Sequence, residues 1–284
     1  MSKDHLIVEL SEQITDTAGI RLSVLSRESA GRISSVTGKP LYTIYREALE
    51  EGVHPLRFIR NRNTITTDEQ LVLSRAVVAV AGAGGLGGNV LMLLARLGIG
   101  SLTVIDSDSF DETNLNRQAF CTEASIGSLK ALEAERAIAE INPGVSVRTI
   151  TKRLGHENAI ESLQGADMVV DCLDTIKDRF MLEEAAKALG IPLVHGAIAG
   201  FEGQVMTVFP EDRGIELIYG KAPGRKRPYP TPEAELGVPA VTASIIAGME
   251  VMEVIKVLLK KGEPVRNEML YVDVLAPLIH RVTF

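Results

Sequence analysis

The chain has no tryptophan and only two cysteines among its 284 residues, and aromatic side chains make up 4% of it. Cys121 and Cys172 are too few for a disulfide framework or a four-ligand zinc site, so we expect no structural zinc. No apolar run approaches the roughly 18 residues that a membrane span requires. The N-terminal segment carries acidic residues early and lacks the apolar core of a signal peptide. We therefore predict a cytoplasmic protein with no membrane partner.

Excess positive charge is also missing, because 30 basic residues stand against 37 acidic ones and the formal net charge is −7. Nucleic-acid binding depends on surplus lysine and arginine, so no nucleic-acid partner is expected. Residues 26–51 have the pattern of a helix–turn–helix with Gly38 at the break, but residues 1–55 are net acidic too. We interpret residues 1–55 as an N-terminal helical extension that packs on the main domain or docks a partner.

Apolar strands and amphipathic helices alternate from residue 76 to about residue 210. This alternation predicts an α/β fold, Rossmann-like and doubly wound, with a mainly parallel sheet covered by helices on both faces. Strands are predicted at 77–82, 101–106, 146–151, 168–174, 191–200, 203–210 and 269–274. Helices are predicted at 89–98, 128–142 and 240–261. A crossing loop at about 211–238 carries the basic residues Lys221, Arg225, Lys226 and Arg227.

The first chemical signal is a glycine-rich turn between a strand and a helix, with glycines at Gly82, Gly84, Gly85 and Gly87. Glycine lets phosphates approach backbone N–H groups at the positive end of the following helix. Asp106 ends the next strand, where a carboxylate accepts hydrogen bonds from ribose hydroxyls. On these residues alone, an NAD-dependent oxidoreductase is the favoured interpretation.

The residues that follow favour phosphoryl chemistry instead. They are Asp108, Asn114, Arg117, Gln118 and Lys130. Arg117 offers phosphate a planar fork of N–H donors, and Lys130 offers a point charge. Fixed cations stabilise the negative charge that develops when pyrophosphate leaves. A dehydrogenase has no use for such cations at the middle of its cofactor.

Two acids, Asp171 and Asp174, end another predicted strand. They fall at the carboxyl edge of the sheet, where open α/β sheets build their sites. A carboxylate at that edge can hold Mg²⁺ against phosphates.

In order, the motifs GxGGLG, DxDxFxxxNLxRQ, GxxK and DCxD resemble the ThiF/MoeB/HesA family, relatives of ubiquitin-activating enzymes. The resemblance covers roughly residues 56–284, and the segment 57–61 is similar to the family's RYxRQ. It implies an ATP-binding adenylyltransferase domain that activates a carboxylate and releases pyrophosphate. The implied substrate is a small ubiquitin-like sulfur-carrier protein ending in Gly-Gly, from a pathway of the molybdenum or tungsten cofactor type or the thiamine type.

The resemblance also implies roles for particular residues. Arg117 and Lys130 are implied in catalysis together with Asp174, which would bind Mg²⁺. Arg60 would reach the ATP of a partner subunit, which implies a homodimer. ATP itself would lie on Gly82, Gly84, Gly85, Gly87, Asp106, Asp108, Asn114, Arg117, Gln118 and Lys130.

The chain departs from the family in two ways. It lacks the two CxxC pairs that bind zinc in many members, and its crossing loop has no cysteine, with Thr231, Pro232 and Glu233 roughly where one would stand. We therefore expect adenylation without a thioester on that loop. Cys172 is interpreted as a core residue and His195 as a simple hydrogen-bonded histidine near the site.

Three alternatives stay open. The chain could be an NAD-dependent oxidoreductase or a non-catalytic nucleotide-binding scaffold of the same superfamily. The substrate could also be a small-molecule or peptide carboxylate, or a modified RNA base, rather than a carrier protein.

Overall fold

The structure is a computed structural model that describes residues 6–221 and 232–284. Those residues form a small N-terminal unit and a large α/β domain. Arg225, Lys226, Arg227 and Thr231 of the predicted crossing loop lie outside the described residues.

The N-terminal unit is built from short elements. They are α1 (Leu6–Glu9), β1 (Glu12–Thr15), β2 (Arg21–Leu25), α2 (Arg27–Thr37), α3 (Leu41–Glu50) and β3 (His54–Pro55). The Ser26 side chain caps α2 by accepting a hydrogen bond from the backbone N–H of Ser29, and α2 ends at Gly38 in the left-handed region, with φ at 73°. The predicted helix pair with its break at Gly38 is therefore confirmed. The accompanying sheet, in the order β1-β2-β3, was not predicted because β1 is short, largely exposed and without apolar alternation.

Polar contacts attach the N-terminal unit to the large α/β domain. Arg62 forms an ion pair with Asp16. The Arg57 guanidinium donates a hydrogen bond to the Asn142 side-chain oxygen and lies 5.3 Å from the centre of the Tyr45 ring. Arg57 therefore bridges the two parts of the chain.

Eight strands form the large sheet: β4 (Val77–Ala81), β5 (Ser101–Ile105), β6 (Ser146–Ile150), β7 (Met168–Asp171), β8 (Leu193–Ala199), β9 (Glu202–Val208), β10 (Glu268–Asp273) and β11 (Leu278–Thr283). Their spatial order is β11-β10-β9-β8-β7-β4-β5-β6. Five neighbouring strands, β8, β7, β4, β5 and β6, are parallel to one another. The remaining strands, β9, β10 and β11, run antiparallel to their neighbours. The predicted mainly parallel, doubly wound sheet is confirmed.

The chain order places a ligand site at one edge of this sheet. It runs outward from β4 through β5 to β6 and then returns to β7 on the other side of β4. This reversal is the topological switch point of an open α/β sheet, where ligands bind beside the carboxyl ends of the strands. The glycine-rich turn follows β4 at this point.

The helices after the N-terminal unit are α4 (Thr67–Arg75), α5 (Gly85–Leu97), α6 (Lys130–Ile141), α7 (Ala159–Leu163), α8 (Ile176–Leu189), α9 (Glu216–Tyr219), α10 (Pro232–Leu236) and α11 (Ala240–Leu259). Residues of α4, α5, α6 and α11 share one apolar cluster, and residues of α7, α8 and α9 share another on the opposite face. Strand β4 shows why: Val78 and Val80 belong to the first cluster, whereas Ala79 and Ala81 belong to the second. Among the described residues, no helix is long and apolar enough to cross a membrane.

Some boundaries differ from the prediction. The strand predicted at 168–174 ends at Asp171, because its side-chain Oδ1 accepts a hydrogen bond of 3.1 Å from the backbone N–H of Leu173 and turns the chain toward α8. Helices α4, α7 and α8 and strand β11 were not predicted, and the short helices α9 and α10 lie within the segment predicted as the crossing loop. The predicted helix 240–261 is observed as α11 and ends at Leu259.

Candidate nucleotide and acyl site

The glycine-rich turn requires two of its glycines for its own closure. Gly82 has a φ of 93°, and a Cβ there would lie 2.6 Å from the carbonyl oxygen of Cys172. A Cβ on Gly87 would lie 1.8 Å from the carbonyl oxygen of Gly82. Both positions exclude any larger residue because the opposing atoms are backbone.

The other two glycines lie beside polar side chains from the following loop. A Cβ built on Gly84 would be 3.8 Å from Nε2 of Gln118, and one on Gly85 would be 3.6 Å from Cδ of Arg117. Gly84 precedes α5 and provides no side-chain cap for its first N–H groups. The N-terminus of α5 therefore offers uncapped N–H donors beneath Gln118 and Arg117, an arrangement suited to an anion.

Asp106 joins this turn to the end of β5. Its Oδ2 accepts a hydrogen bond of 2.7 Å from the backbone N–H of Ala83, and its Oδ1 accepts one of 2.8 Å from Asp108. Burial raises the pKa of Asp106, and the two N–H donors oppose that shift. A carboxylate predicted to bind ribose is thus also part of the glycine turn's own framework.

Lys130 and Arg117 are held by contacts from the same loop. Lys130 is the first residue of α6 and is largely buried, with Nζ 3.2 Å from Oδ2 of Asp108. The Arg117 Nη1 donates hydrogen bonds to the Thr113 carbonyl oxygen at 2.9 Å and to Oδ1 of Asn116 at 2.8 Å. Both cations are therefore oriented before any ligand arrives.

Asn114 and Gln118 are both buried but differ in their partners. The Asn114 Oδ1 accepts a hydrogen bond of 3.2 Å from the backbone N–H of Asp111, which closes the turn before Arg117. The Gln118 Oε1 has no hydrogen-bond partner within the described residues. An unsatisfied buried acceptor is costly, so this oxygen suits a donor from a bound ligand.

Asp174 lies in the turn after β7, with an exposed side chain. The backbone brings this turn against the glycine turn, because the Cys172 N–H donates to the Ala81 carbonyl oxygen at 2.9 Å. Within residues 6–221 and 232–284, no three or more histidine, cysteine, aspartate or glutamate residues are grouped to hold a metal. Magnesium commonly takes one or two carboxylates plus substrate phosphates, so a single accessible carboxylate at this edge fits its donor set.

Arg60 takes no part in these hydrogen bonds and ion pairs. Its side chain is exposed and has no hydrogen-bond or ion-pair partner in the part of the chain that the structure describes. Within the described residues, no hydrogen bond or ion pair joins it to the glycine turn.

A cavity of about 300 Å³ lies beyond the carboxyl ends of β7 and β8. Small or apolar side chains form much of its wall, including Ala197, Ile198, Ala199 and Gly203, and its polar members include Arg179, Glu202, Gln204, Tyr219, Glu233 and Tyr271. A hydrogen bond with Glu202 raises the pKa of Tyr271 to about 12. This cavity and its polar group Arg179–Gln204–Tyr219 were not predicted from the sequence, because no local motif links their positions.

His195 lies beneath this cavity and is fully buried. Its Nδ1 lies 2.8 Å from Oδ2 of Asp171, which is also fully buried. Burial lowers the pKa of His195, which favours the neutral imidazole. The interpretation of His195 as a hydrogen-bonded histidine is confirmed.

The surroundings of both cysteines disfavour the thiolate. Burial raises the pKa of Cys121, and it raises that of Cys172 strongly. The Cys121 Sγ lies 3.8 Å from the Asp111 carbonyl oxygen, and the Cys172 side chain packs against the larger apolar cluster. Neither environment activates a nucleophile, since the reactive species is the thiolate.

A glycine turn at the switch point, with cations fixed above it, defines an α/β nucleotide-binding protein suited to polyphosphate chemistry. A model of the ThiF family matches residues 58–284, and the chain belongs to that family. The enzyme is an adenylyltransferase, and the family decides against the oxidoreductase alternative.

Relatives with similar sequences carry consistent names. A SAMP-activating enzyme E1 of Haloferax volcanii is 36% identical over 205 residues, covering 72% of this chain and 74% of that protein. A sulfur carrier protein adenylyltransferase of Thermus thermophilus is 37% identical over 218 residues, covering 74% and 79%. The adenylyltransferase and sulfurtransferase MOCS3 of Arabidopsis thaliana is 32% identical over 286 residues, covering 96% of this chain but 57% of its own length.

Solved structures share the fold at lower identity. PaaA has a TM-score of 0.67 at 18% identity and covers 97% of this chain and 98% of its own. MccB of E. coli with MccA-N7isoASN has a TM-score of 0.70 at 20% identity and covers 89% and 82%. At these identities the likeness concerns the fold alone.

Proposed function

We propose that this enzyme uses ATP with Mg²⁺ to adenylate the C-terminal glycine of a small ubiquitin-like carrier protein that ends in Gly-Gly. Pyrophosphate is released, and the carrier serves sulfur transfer for a molybdenum or tungsten cofactor or for thiamine. The names of two relatives support this substrate class: a SAMP-activating enzyme and a sulfur carrier protein adenylyltransferase. The observation that carries the proposal is the fixed pair of cations, Arg117 beside Gly85 and Lys130 beside Asp108, at one nucleotide site.

On the nucleotide side, Asp106 accepts the ribose hydroxyls while it holds the glycine turn. The backbone of Gly82, Gly84, Gly85 and Gly87 faces the phosphates at the N-terminus of α5. Gln118 contributes its free acceptor to the nucleotide. Asn114 and Asp108 act through their neighbours, since Asn114 closes the turn before Arg117 and Asp108 pairs with Lys130.

The reaction joins a carboxylate oxygen to the α-phosphorus and breaks the bond from that phosphorus to the bridging oxygen of pyrophosphate. Negative charge moves onto the leaving group, where the Arg117 fork and the Lys130 ammonium stabilise it. Asp174 would hold Mg²⁺, which supplies further charge neutralisation to the phosphate oxygens. Because Arg117 and Lys130 are already oriented by protein contacts, they need little reorganisation during the reaction.

On the carboxylate side, the cavity next to β8 receives the end of the carrier. Its wall includes Ala197, Ala199 and Gly203, which leave room for a main chain but little for bulky side chains. A Gly-Gly end presents only main chain, so it matches such a wall. The buried Arg179 guanidinium contributes positive charge toward an anionic substrate.

The proposal includes a C2 homodimer with composite sites. Three side chains spaced along α11 are exposed although they are apolar: Val241 (49%), Ile245 (37%) and Met252 (53%). An exposed apolar stripe of this kind is typical of an interface between proteins. Arg60, which has no partner within the described residues of its own subunit, would supply a cation to the ATP of the other subunit.

Exchange of labelled pyrophosphate into ATP tests the proposed reaction. A purified ubiquitin-like carrier ending in Gly-Gly should support exchange, and the same carrier without its last glycine should not. Pyrophosphate exchange only with a short peptide would show that the substrate is a peptide and not a carrier protein. No exchange with any carboxylate, together with tight NAD binding, would overturn the proposal.

A further inference from the structure

Hydrogen bonds form a closed ring around the end of β7. Asp171 uses both carboxylate oxygens: Oδ1 accepts from the backbone N–H of Leu173 at 3.1 Å, and Oδ2 pairs with Nδ1 of His195 at 2.8 Å. On its other side, His195 Nε2 lies 3.0 Å from the hydroxyl of Tyr219 in α9. The ring thus passes from β7 through β8 to the segment that leads into the crossing loop.

The direction of each hydrogen bond follows from the donors around Tyr219. Nε2 of Gln204 donates to the hydroxyl oxygen at 2.7 Å, and Nη1 of Arg179 donates to the same oxygen. An arginine N–H and an amide NH₂ can only donate, so the hydroxyl directs its own proton at Nε2 of His195. The neutral imidazole then carries its proton on Nδ1 and donates it to Asp171. Each side chain in the ring therefore has one defined orientation.

Arg179 closes the ring on the backbone. Its Nε and Nη2 donate hydrogen bonds of 3.0 and 2.8 Å to the carbonyl oxygen of Leu173. The peptide that follows this carbonyl belongs to Asp174. The ring therefore begins at Asp171 and returns to the chain immediately before Asp174, and His195, Asp171 and Arg179 are all at most 4% exposed.

We propose that Tyr219, His195 and Arg179 are positioning residues that hold the turn carrying Asp174 in the orientation needed to bind Mg²⁺ with ATP. This inference rests on the proposed role of Asp174 at the nucleotide site. Partners behind a metal ligand fix its orientation, and losing one typically lowers metal affinity by roughly 10- to 100-fold. Four elements of the fold, β7, β8, α8 and α9, are used to fix one turn.

Tyr219→Phe is the sharpest test because it keeps the ring packing and removes only the hydroxyl at the centre of the network. Tyr271→Phe is a matched control, since Tyr271 lines the same cavity but its hydroxyl is bonded to Glu202, outside the ring. Calorimetry should follow ATP binding to the full-length protein as MgCl₂ is varied. We expect the Mg²⁺ concentration for half-maximal ATP affinity to rise about tenfold in Tyr219→Phe and to stay unchanged in Tyr271→Phe.

Two further measurements separate positioning from general stability. Hydrogen–deuterium exchange at residues 172–176 should speed up in Tyr219→Phe at temperatures well below its unfolding midpoint. In an Asp174→Asn background, adding Tyr219→Phe should not change the Mg²⁺ dependence further, because the ligand it positions is gone. Faster exchange at residues 172–176 with an unaltered Mg²⁺ dependence would overturn the inference and leave the ring a structural feature.

The Mg²⁺ dependence of ATP binding tests the positioning role, whereas pyrophosphate exchange tests the proposed reaction. If no carboxylate supported pyrophosphate exchange but Tyr219→Phe still shifted the Mg²⁺ dependence of ATP binding, the proposed function would fail and the positioning role would stand. The opposite result is also informative. If pyrophosphate exchange proceeded normally, but the Mg²⁺ dependence of ATP binding were the same in Tyr219→Phe and wild type, only the positioning role would fail.

Discussion

The backbone N–H of Ala83 donates a hydrogen bond of 2.7 Å to Oδ2 of Asp106, which ties the glycine turn after β4 to the end of β5. One carboxylate thus shapes the glycine turn while it stands where ribose is expected. A change at Asp106 therefore affects both the ligand and the turn.

We predict that Asp106→Ala abolishes ATP binding without unfolding the domain. Loss of a hydrogen bond to a charged group costs about 1.5–3 kcal/mol, so the melting temperature should fall by several degrees. Asp106→Asn retains one acceptor oxygen and should lose less stability. Calorimetry with ATP and with NAD, alongside thermal unfolding, checks these expectations. Tighter binding of NAD than of ATP to the wild type would refute the nucleotide assignment.

The fixed cations lead to a kinetic prediction. Arg117→Ala and Lys130→Ala should each slow adenylation by roughly 10²–10³-fold, the scale of one lost preorganised contact in a transition state. Asp174→Asn should be at least as harmful. Arg136→Ala is a suitable control, because Arg136 is exposed on α6 and pairs with Glu133 on the same helix. Pyrophosphate exchange at saturating ATP measures the effect, and near-normal rates in all three site variants would show that the site is assigned wrongly.

We predict that Glu250 makes the stability of the protein depend on pH. It is fully buried on α11, near Cys172 and Gly196, and burial raises its pKa well above the ordinary 4.5; the negative charge of Asp171 adds to this shift, and Arg179 opposes it. The folded state binds this proton more tightly than the unfolded state does, so the contribution to stability is complete below pH 4.5 and is lost as the pH rises through the folded-state pKa.

Glu250→Gln should remove this dependence, since an amide stays neutral at every pH. The free energy of unfolding of the variant, relative to wild type, should therefore increase as the pH is raised from 4.5 toward 8. Urea titrations of both proteins across this range provide the measurement. Parallel curves would contradict a buried, protonated Glu250.

The raised pKa of both thiols predicts that the carrier forms no covalent intermediate on Cys121 or Cys172. Because burial raises the pKa of both, Cys121→Ser and Cys172→Ser should each leave adenylate formation measurable. Cys172→Ser should lower stability, since it places a hydroxyl against the apolar cluster. Mass spectrometry of the enzyme with its carrier, without reducing agent, should find no thioester. Trapping a carrier on either cysteine would overturn this expectation.

The proposed homodimer with composite sites predicts complementation between two inactive variants. After subunit exchange, a mixed dimer of Arg60→Ala and Asp174→Asn has one site with both lesions and one with neither. Random exchange should therefore restore about a quarter of wild-type adenylation, because half of the dimers are mixed and each has one intact site. Native mass spectrometry verifies the exchange. Proven exchange without recovered activity would place Arg60 outside the partner's site.

Local sequence patterns were sufficient for much of the fold. The strand and helix periodicities predicted the parallel sheet, and the glycine spacing with Asp106 predicts a nucleotide at its edge. Arg117 and Lys130 were identified because they follow Asp106 along one continuous loop. These patterns involve residues that are close together in the sequence, so composition and spacing are enough to recognise them.

The cavity beside β8 and the hydrogen-bonded ring below it could not be predicted in the same way. Asp171 and His195 are 24 residues apart, and Arg179 and Tyr219 are 40 apart, on four separate elements. No spacing rule links such positions, and His195 by itself indicated only a hydrogen-bonded histidine. The free Oε1 of Gln118 likewise becomes visible only when its surroundings are known.

The sequence by itself thus determined the class of sheet, the glycine turn and the cations that follow it, because these properties are local and periodic. Tertiary structure alone decided which buried groups meet. It placed Tyr219 between His195 and Arg179 and closed the ring on Leu173, because parallel strands bring their carboxyl ends to one edge whatever their separation in the chain.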